Sequence, residues 1–402
     1  MVGEEAARRR RRAMAAQALA GALGLALLVF ALGMDAAWAE RHFLPAWAWG
    51  WTVQLRILLG LRLAVAAAGL LVILFFRRWL ARACREGKGG RALGSLAMCL
   101  VAVAAAFAAT EGVLRTRTWR SVQERWDQEP QRVRDREYGW AFAPGHAGTV
   151  RLNGRTVHYA TGPFGYRAPR AGAGPDFDRP TIVFAGESIM FGYGLEWPQT
   201  VPAQVEALTG VQAANVAVNA HATDQTYLRL VRELPRFHRP VAAVIPFMSV
   251  LFDRNLDTDR PHLDSHLRWK AGSGPPLRLV ELARRVTRYR SRDAIGEGVA
   301  MTRAVLRASL RLAARRGARA LVVVPQFLPE QKQERAVRRA VLDEAGIPYL
   351  LVPLRPDMRS PGHGHPNPAG ARALALAIAA ALDLRAAHRI GTPPRKPGAQ
   401  GE

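Results

Sequence analysis

Two residues far apart in the chain have the side chains that a nucleophilic site requires. Ser188 follows the apolar run Thr181–Phe184, and His365 follows Gly364 near the end of the chain. A serine placed where a buried strand ends is how α/β enzymes present a nucleophile at the carboxyl edge of a parallel sheet. A serine hydroxyl needs a base, and imidazole is the usual base near neutral pH. The pair therefore predicts attack on a carbonyl carbon.

Two histidines compete for the role of base. His363 lies two residues before His365, and we favour His365 because Pro366 and the Asn367 cap of the following helix fix its backbone. The nearest carboxylate is that of Asp357, whose reach the sequence does not define. Without an acid the site would be a Ser–His dyad with a less well oriented imidazole.

Strands alternate with helices from residue 181 onward. Strands are predicted at 181–184, 213–218, 241–247, 320–324 and 349–352. Helices are predicted at 201–208, 224–234, 303–316, 331–345 and 367–382. Thr223 or Asp224 is available to cap the second of these helices. The alternation predicts a parallel, doubly wound α/β sheet whose carboxyl edge holds both Ser188 and His365.

The segment 115–177 precedes this domain. Residues 115–137 are charged and predict a stalk, and 149–159 alternates around Asn153-Gly154, a signal for a type I′ hairpin. We interpret the segment as a stalk with a small β appendage that packs against the flank of the main domain.

Three apolar segments at 13–33, 57–76 and 92–114 have the length needed to cross a bilayer. The arginine run 8–12 and the basic stretch 77–91 belong on the cytoplasmic side by the positive-inside rule, and Arg62 is expected to snorkel toward the interface. Three spans then put the rest of the chain outside the cytoplasm. An alternative for the first segment is a signal peptide cut after Ala39, which leaves that sidedness unchanged.

The formal charge of +25 is spread along the 402 residues without a nucleic-acid motif, so membrane-flanking and general surface charge explain it better than nucleic-acid binding. Cys84 and Cys99 suggest neither a disulfide framework nor a metal site. The helix predicted at 277–289 is basic and amphipathic. It either packs on its own domain, which we favour, or lies on an anionic membrane surface.

No motif requires a cofactor or a metal ion. His262 and His266 have a spacing that zinc sites use, but Pro261 and the polar surroundings favour a surface loop. The tail from residue 389 is rich in Pro, Gly and charge and is predicted to be disordered.

The chain resembles the SGNH/GDSL hydrolase family over about residues 178–385. The sequence 186–188 is similar to the family's first block with Glu187 for the usual Asp, 215–225 resembles the second block, and 364–370 resembles the last block. Upstream, 138–140 and 164–167 look like the segment that precedes this domain in membrane-tethered bacterial members. The resemblance implies a flavodoxin-like three-layer α/β/α sandwich. It also implies esterase or acyl-transfer activity on extracytoplasmic glycans or lipids.

The same resemblance implies a pair of oxyanion donors and reveals three departures. The donors fall on the N–H groups of Ser188 and Ala220, the latter in place of a glycine. The family's Asn donor falls near Val250, for which Ser249 or Asn219 could substitute. The family's acid falls on Gly362.

The leading hypothesis is a membrane-anchored serine esterase or acyl-transfer enzyme with Ser188 and His365 as catalytic residues. Its partners would be the membrane and an acylated glycan or lipid. The second hypothesis is a catalytically impaired module that keeps the fold and serves glycan binding or scaffolding. Four regions follow: a membrane region at 1–114, the stalk and appendage at 115–177, the hydrolase-like domain at 178–388 and the tail at 389–402.

Overall fold

A computed structural model describes residues 2–44, 51–116, 132–152, 154–257, 260–272 and 277–383. The chain divides into two compact units. One comprises residues 1–124 and 275–292, and the other comprises 125–274 and 293–402. Most of the stalk and the predicted tail lie outside the described residues.

The described helices are α1 (Val2–Gly33), α2 (Ala36–His42), α3 (Trp51–Leu71), α4 (Arg77–Arg85), α5 (Gly89–Leu114), α6 (Ser188–Phe191), α7 (Val201–Thr209), α8 (Thr223–Glu233), α9 (Ser249–Asn255), α10 (Arg278–Thr287), α11 (Arg292–Arg315), α12 (Lys332–Arg338) and α13 (Pro368–Leu382). The described strands are β1 (Arg132–Asp135), β2 (Gly139–Phe142), β3 (Ala147–Leu152), β4 (Arg155–Thr161), β5 (Arg167–Ala168), β6 (Thr181–Phe184), β7 (Gln212–Asn215), β8 (Pro240–Pro246), β9 (His262–Leu263), β10 (Trp269–Lys270), β11 (Arg319–Phe327) and β12 (Tyr349–Leu354). Single π-helical turns at Val72–Phe76 and Arg339–Asp343 extend α3 and α12.

Three helical stretches in the first unit are long and apolar enough to cross a membrane, at Glu4–Gly33, Trp51–Arg85 and Gly94–Leu114. The first two stretches approach closely at a pair of glycines. A Cβ at Gly69 would lie 2.9 Å from the carbonyl oxygen of Gly24, so the backbones meet there without side chains between them. Nε of Arg62, the residue predicted to snorkel, donates to the Ala31 carbonyl near the end of α1 at 3.0 Å.

Helix α10 belongs to this first unit, which corrects the interpretation that it packs on the α/β domain. Its N-terminal N–H groups are bound by Glu111, a carboxylate in the last turn of α5. A helix N-terminus attracts negative charge because its first N–H groups have no partner within the helix. The contact joins residues about 170 positions apart, so local sequence does not reveal it.

The second unit is built on one eight-stranded sheet with the order β12-β11-β8-β6-β7-β5-β4-β3. Strands β6, β7, β8, β11 and β12 are parallel. Numbered among themselves, they have the order 2-1-3-4-5, which is that of flavodoxin-like sheets. The predicted parallel α/β sheet is therefore confirmed, with β6 at the centre and fully buried.

The predicted hairpin is part of this sheet and does not form a separate appendage. Strands β3 and β4 pair with Leu152 opposite Arg155, as a two-residue turn requires. Strand β5 then pairs antiparallel with β7 through Arg167 and Asn215. Strand β5 thereby covers the edge of the parallel sheet, which would otherwise expose unpaired backbone groups, and the hairpin pairs in turn with β5 through β4.

Helices cover both faces of the sheet and complete three layers. On one face α7 packs against α13, and on the other α8, α9 and α12 pack in succession. Asn255 of α9 donates to Thr302 of α11 at 2.8 Å, which places α11 in that second layer. The sequence suggested Asp224 as a cap for α8, but the N-cap residue of this helix is Ala222. Asp224 is buried and accepts the N–H of Leu263 at the start of the β9–β10 ribbon.

Candidate active site

The loop that carries Ser188 is fixed by a close approach to the neighbouring strand. Gly186 has φ +144°, and a Cβ there would lie 2.6 Å from Pro246 at the end of β8. Only glycine fits this position without displacing that strand. Glu187 then caps the short helix α6 by accepting the N–H of Ile189 at 3.1 Å, and Ser188 becomes its first residue. The loop therefore presents Ser188 at the carboxyl end of β6.

The loop that carries His365 is held from both sides. The Ser360 N–H donates to the His365 carbonyl at 2.7 Å, and the Asn367 N–H donates to the Met358 carbonyl at 3.0 Å. The Asn367 side chain accepts the N–H of Gly370 at 3.0 Å and so caps α13, as predicted. These bonds fix the backbone on each side of the imidazole.

The structure brings Ser188 and His365 together. Nε2 of His365 lies 2.8 Å from Oγ of Ser188, although the residues are 177 positions apart. Ser188 is 7% exposed. The distance is that of a hydrogen bond, which is the geometry a general base needs in order to take the serine proton.

The Ser188 hydroxyl has one hydrogen and two acceptors within reach. Its Oγ also lies 2.5 Å from Oε2 of Glu187. An ionised Glu187 attracts the hydrogen, whereas a protonated Glu187 donates to Oγ and leaves the serine hydrogen for His365. Burial raises the pKa of Glu187, which favours the protonated form. The protonation of Glu187 therefore sets whether the Ser188 hydrogen is directed to the base.

His365 is held in its neutral form. Burial, together with the neighbouring His363 and the guanidinium of Arg254, lowers the pKa of His365 to about 3. Its Nδ1 lies 3.1 Å from the carbonyl oxygen of His363 and 3.1 Å from Nδ1 of that residue. A neutral imidazole with a free lone pair on Nε2 is the form that accepts a proton from serine.

Arg254 supplies positive charge to the site. The charge of its guanidinium lowers the pKa of Glu187, against the larger effect of burial, and also lowers the pKa of His365. Burial lowers the pKa of Arg254 itself, while Glu187 opposes that shift. Nη1 of Arg254 donates to the carbonyl of His221 at 3.2 Å. The guanidinium thereby links helix α9 to the loop after β7.

The loop after β7 lies beside the serine loop and adopts an unusual backbone conformation. The Val218 N–H donates to the Gly186 carbonyl at 3.0 Å. Two residues later Ala220 has φ +63°, the left-handed conformation that glycine adopts more readily. Nη1 of Arg260 donates to the Ala220 carbonyl at 2.8 Å and stabilises this turn.

Asn219 in this loop carries an unsatisfied amide. The residue is 1% exposed, and neither side-chain atom has a hydrogen-bond partner among the described residues. The backbone carbonyl of Asn219 accepts the indole N–H of Trp140 at 2.9 Å, and this bond fixes the backbone at that residue. A buried amide without a partner is costly in a folded protein and is often explained by a function.

The other predicted supporting residues have partners of a different kind. The Asp357 carboxylate is exposed and forms a two-point ion pair with Arg355 at 2.8 and 3.0 Å. Oγ of Ser249 donates to Oε1 of Glu334 at 3.4 Å. Val250 lies beside Ser249 in the first turn of α9.

Sequence reasoning missed the roles of Glu187 and Arg254. Glu187 appeared only as a variant of a family position. Arg254 follows Val250 by four residues on α9, so a search for charges on the same helix face would have found it. Tyr193 was also missed. Its ring packs against His365 with the centroids 4.9 Å apart and restricts the imidazole.

Comparisons with known proteins find similar proteins only among solved structures, and these similarities are low. No family model matches the sequence, and no curated protein matches it significantly. Among solved structures, the chain is similar to a protein of the lipolytic G-D-S-L family from Desulfitobacterium hafniense (13% identity, TM-score 0.32), with 50% of this chain and 98% of that one covered. It is also similar to a GDSL-like lipase from Bacteroides thetaiotaomicron (13%, TM-score 0.33, 53% and 92% covered). A mutant of esterase AlinE4 gives 17% identity, a TM-score of 0.30 and coverage of 55% and 100%. Structural similarities with TM-scores this low carry no argument about activity or fold. The fold assignment therefore rests on the observed strand order.

Proposed function

We propose that this protein is a membrane-anchored serine esterase or acyl-transfer enzyme of the SGNH/GDSL type, acting on O-acyl esters of extracytoplasmic glycans or lipids. The observation that carries the proposal is the contact of 2.8 Å between Oγ of Ser188 and Nε2 of His365. Further support is that this buried imidazole is neutral near pH 7, so its Nε2 can accept the serine proton.

In the proposed reaction Oγ of Ser188 attacks the ester carbonyl carbon while Nε2 of His365 takes the hydroxyl proton. The carbonyl π electrons move to oxygen and form a tetrahedral oxyanion. When this collapses, the bond to the leaving alcohol breaks and His365 returns the proton to that alcohol. Water or a sugar hydroxyl then attacks the acyl carbon while His365 takes its proton. The bond from that carbon to Oγ of Ser188 breaks, His365 returns the proton to Oγ, and the carboxylic acid or the new ester leaves.

Negative charge on the oxyanion needs donors that are already in position. We assign this role to the N–H groups of Ser188 and Ala220 and to the amide of Asn219. The left-handed turn at Ala220 and the unpartnered Asn219 amide support the assignment. The positive charge of Arg254 would also stabilise the oxyanion. Its guanidinium is close enough to lower the pKa of both Glu187 and His365 through its charge.

The apolar helices of the first unit support membrane anchoring through three spans, because their length and composition suit a bilayer. The two basic stretches meet at one end of this unit, since Arg9, Arg10 and Arg85 line a single cavity of about 680 Å³. The positive-inside rule assigns that end to the cytoplasm. With three spans the Ser188 domain is then outside the cytoplasm.

The function is tested by labelling the purified full chain with a fluorophosphonate, which reacts with activated serines. We expect one label per chain, on Ser188, because among the described residues this is the serine with a neutral buried imidazole at its hydroxyl. The label should disappear in Ser188→Ala and remain in Ser265→Ala, a matched change in a surface turn. A folded chain that takes no label at Ser188 would instead favour the glycan-binding or scaffolding module.

The Asn219 assignment predicts a large effect on turnover. Asn219→Ala removes one oxyanion donor and is expected to lower kcat for a short acyl ester by about 10²–10³-fold with little change in KM. Steady-state kinetics on the full chain measure this. Gln204→Ala on α7 is the matched control, since it also removes a side-chain amide. A loss of less than about threefold in Asn219→Ala would exclude the amide as a donor.

A further inference from the structure

We propose that helix α10 lies in the headgroup region of an anionic lipid bilayer, on the side of the membrane reached by the third span. The proposal rests on the membrane insertion of α1, α3 and α5 proposed above. It concerns a surface of the first unit and is independent of the chemistry at Ser188.

The N-terminus of α10 is fixed at the end of the third candidate span. The N–H groups of Arg278 and Leu279 donate to the two carboxylate oxygens of Glu111, at 2.8 and 2.9 Å. Glu111 lies in the last turn of α5, which ends at Leu114. A bilayer that surrounds α5 therefore has its boundary at the level where α10 begins.

The C-terminal end of α10 is fixed to the connection between the first two spans. The Leu44 N–H donates to the Arg288 carbonyl at 3.2 Å, and the Arg290 N–H donates to the His42 carbonyl at 2.9 Å. The ring of Tyr289 stacks on that of Trp38, with the centroids 5.5 Å apart. Tyr and Trp are the residues that membrane proteins concentrate at the bilayer interface. Both ends of α10 are thus held at the same end of the spans.

The surface that α10 leaves exposed is apolar along one stripe. Val280, Ala283 and Val286 recur every three residues in α10 and are all exposed, with values of 37% for Val280 and 39% for Val286, and Leu277 directly before the helix is 48% exposed. Residues three apart are neighbours on a helix surface, so the three helical side chains form an apolar stripe that runs obliquely along it. Such a stripe is unfavourable in water and is buried when a helix lies in the interface.

The charge of the segment matches an anionic surface. Residues 277–290 contain five arginines and one glutamate. Arg284 is exposed and follows Val280 by one helical turn, so a cation borders the apolar stripe. Each basic residue near an anionic membrane surface contributes about 1 kcal/mol. The helix is held at the bilayer boundary and exposes both apolar and basic side chains. Together these features favour an anionic lipid surface over a second protein chain as the partner of α10.

The test places an environment-sensitive fluorophore on the stripe of the full chain. Cys84 and Cys99 are replaced by Ala, and the fluorophore is attached at Val280→Cys. Leu376→Cys is the matched control, because Leu376 is also an exposed apolar residue on a helix, 48% exposed on α13. The chains are reconstituted in nanodiscs of phosphatidylcholine, with or without phosphatidylglycerol, and quenched by lipids with a nitroxide near the headgroup.

We expect quenching at Val280→Cys to exceed that at Leu376→Cys by about threefold or more, and to be greater with phosphatidylglycerol. A tenfold increase in salt shortens the Debye length about threefold and should remove the difference between the two lipids. Arg284→Glu should remove it as well. If labelling at Val280 prevents folding, Ala283→Cys serves as the second site.

Three results would overturn the inference. The first is quenching at Val280→Cys that is no greater than at Leu376→Cys, and the second is quenching that does not depend on phosphatidylglycerol. The third is protection of the Val280→Cys fluorophore from quenching by self-association of the chain, recognised because the protection disappears when the chain is diluted into more nanodiscs. Resistance to alkaline extraction is measured in parallel. A chain that resists extraction but is not quenched contradicts only the placement of α10, whereas an extracted chain contradicts the proposed anchoring.

Discussion

Ser188→Ala is expected to lower kcat/KM for a short acyl ester by about 10³-fold or more, because the attacking oxygen is removed. The oxyanion donors and Arg254 remain, so a residual rate above that of water is also expected. The variant removes a hydroxyl that is 7% exposed and bonded only within the site. The fold should therefore persist, with an unchanged circular dichroism spectrum.

The matched control for this measurement is Ser265→Ala, which removes a hydroxyl from a turn of the β9–β10 ribbon. It should retain the parent kcat/KM within about twofold, as surface substitutions usually do. Equal activity of Ser188→Ala and the parent chain would exclude Ser188 as the nucleophile. Activity lost in both variants would point instead to a general sensitivity of the fold.

The central sheet could be predicted from the sequence because its signals are local. The strand at 181–184 was predicted with its observed bounds, since four consecutive buried residues follow directly from an apolar run. The last helix was also predicted well, from the Asn367 cap and Pro368. By contrast, α11 begins at Arg292, eleven residues before the predicted start. Ser291, a favoured N-cap residue, stands directly before this start and Asp293 lies in the first turn, a signal that the prediction did not use.

The features that the sequence did not reveal depend on contacts between distant segments. The hairpin joins the sheet because β5 meets β7 at one residue pair, Arg167 and Asn215, and no local pattern encodes such an edge. The position of α10 depends on Glu111 in the same way.

In the candidate site, too, residues in local motifs could be predicted, whereas contacts that depend on packing could not. Ser188 and His365 were predicted from motifs, but the approach of the Glu187 carboxylate to Oγ depends on a side-chain direction, which sequence spacing does not define. The spacing of Arg254 from Val250 is visible in the sequence, but the electrostatic effect of Arg254 on Glu187 depends on how α9 packs beside the serine loop.

His365→Ala is expected to lower kcat/KM by about 10³-fold or more, since it removes the base at 2.8 Å from Ser188. His266→Ala is the matched control, because this histidine is exposed on a turn and should leave the rate unchanged. Loss of fluorophosphonate labelling in His365→Ala, but not in His266→Ala, would assign the activation of Ser188 to His365. Equal labelling of both variants would exclude His365 as the base.

The parent chain should also show an unusual dependence on pH. A histidine with an ordinary pKa would be protonated, and inactive as a base, below about pH 6.5. The pKa of His365 is lowered to about 3, so protonation should not reduce kcat/KM until the pH approaches that value. The same shift acts on stability. Between pH 6.5 and 3 the unfolded chain binds a proton at this residue that the folded chain does not, so acid favours unfolding.

These two effects of acid can be separated by experiment. The kcat/KM of the parent chain is measured from about pH 8 down to pH 4, and each sample is returned to pH 7 to identify molecules that have unfolded. We expect no fall in rate near pH 6.5 among the molecules that remain folded. Ionisation of Glu187 attracts the serine hydrogen away from His365, so the rate should fall as a rise in pH ionises this buried carboxyl, whose pKa burial raises above its ordinary value. Glu187→Gln cannot ionise and should abolish that fall. A fall that persists in Glu187→Gln would show that another group causes it, and a loss of rate centred near pH 6.5 in folded molecules would contradict the neutral buried imidazole.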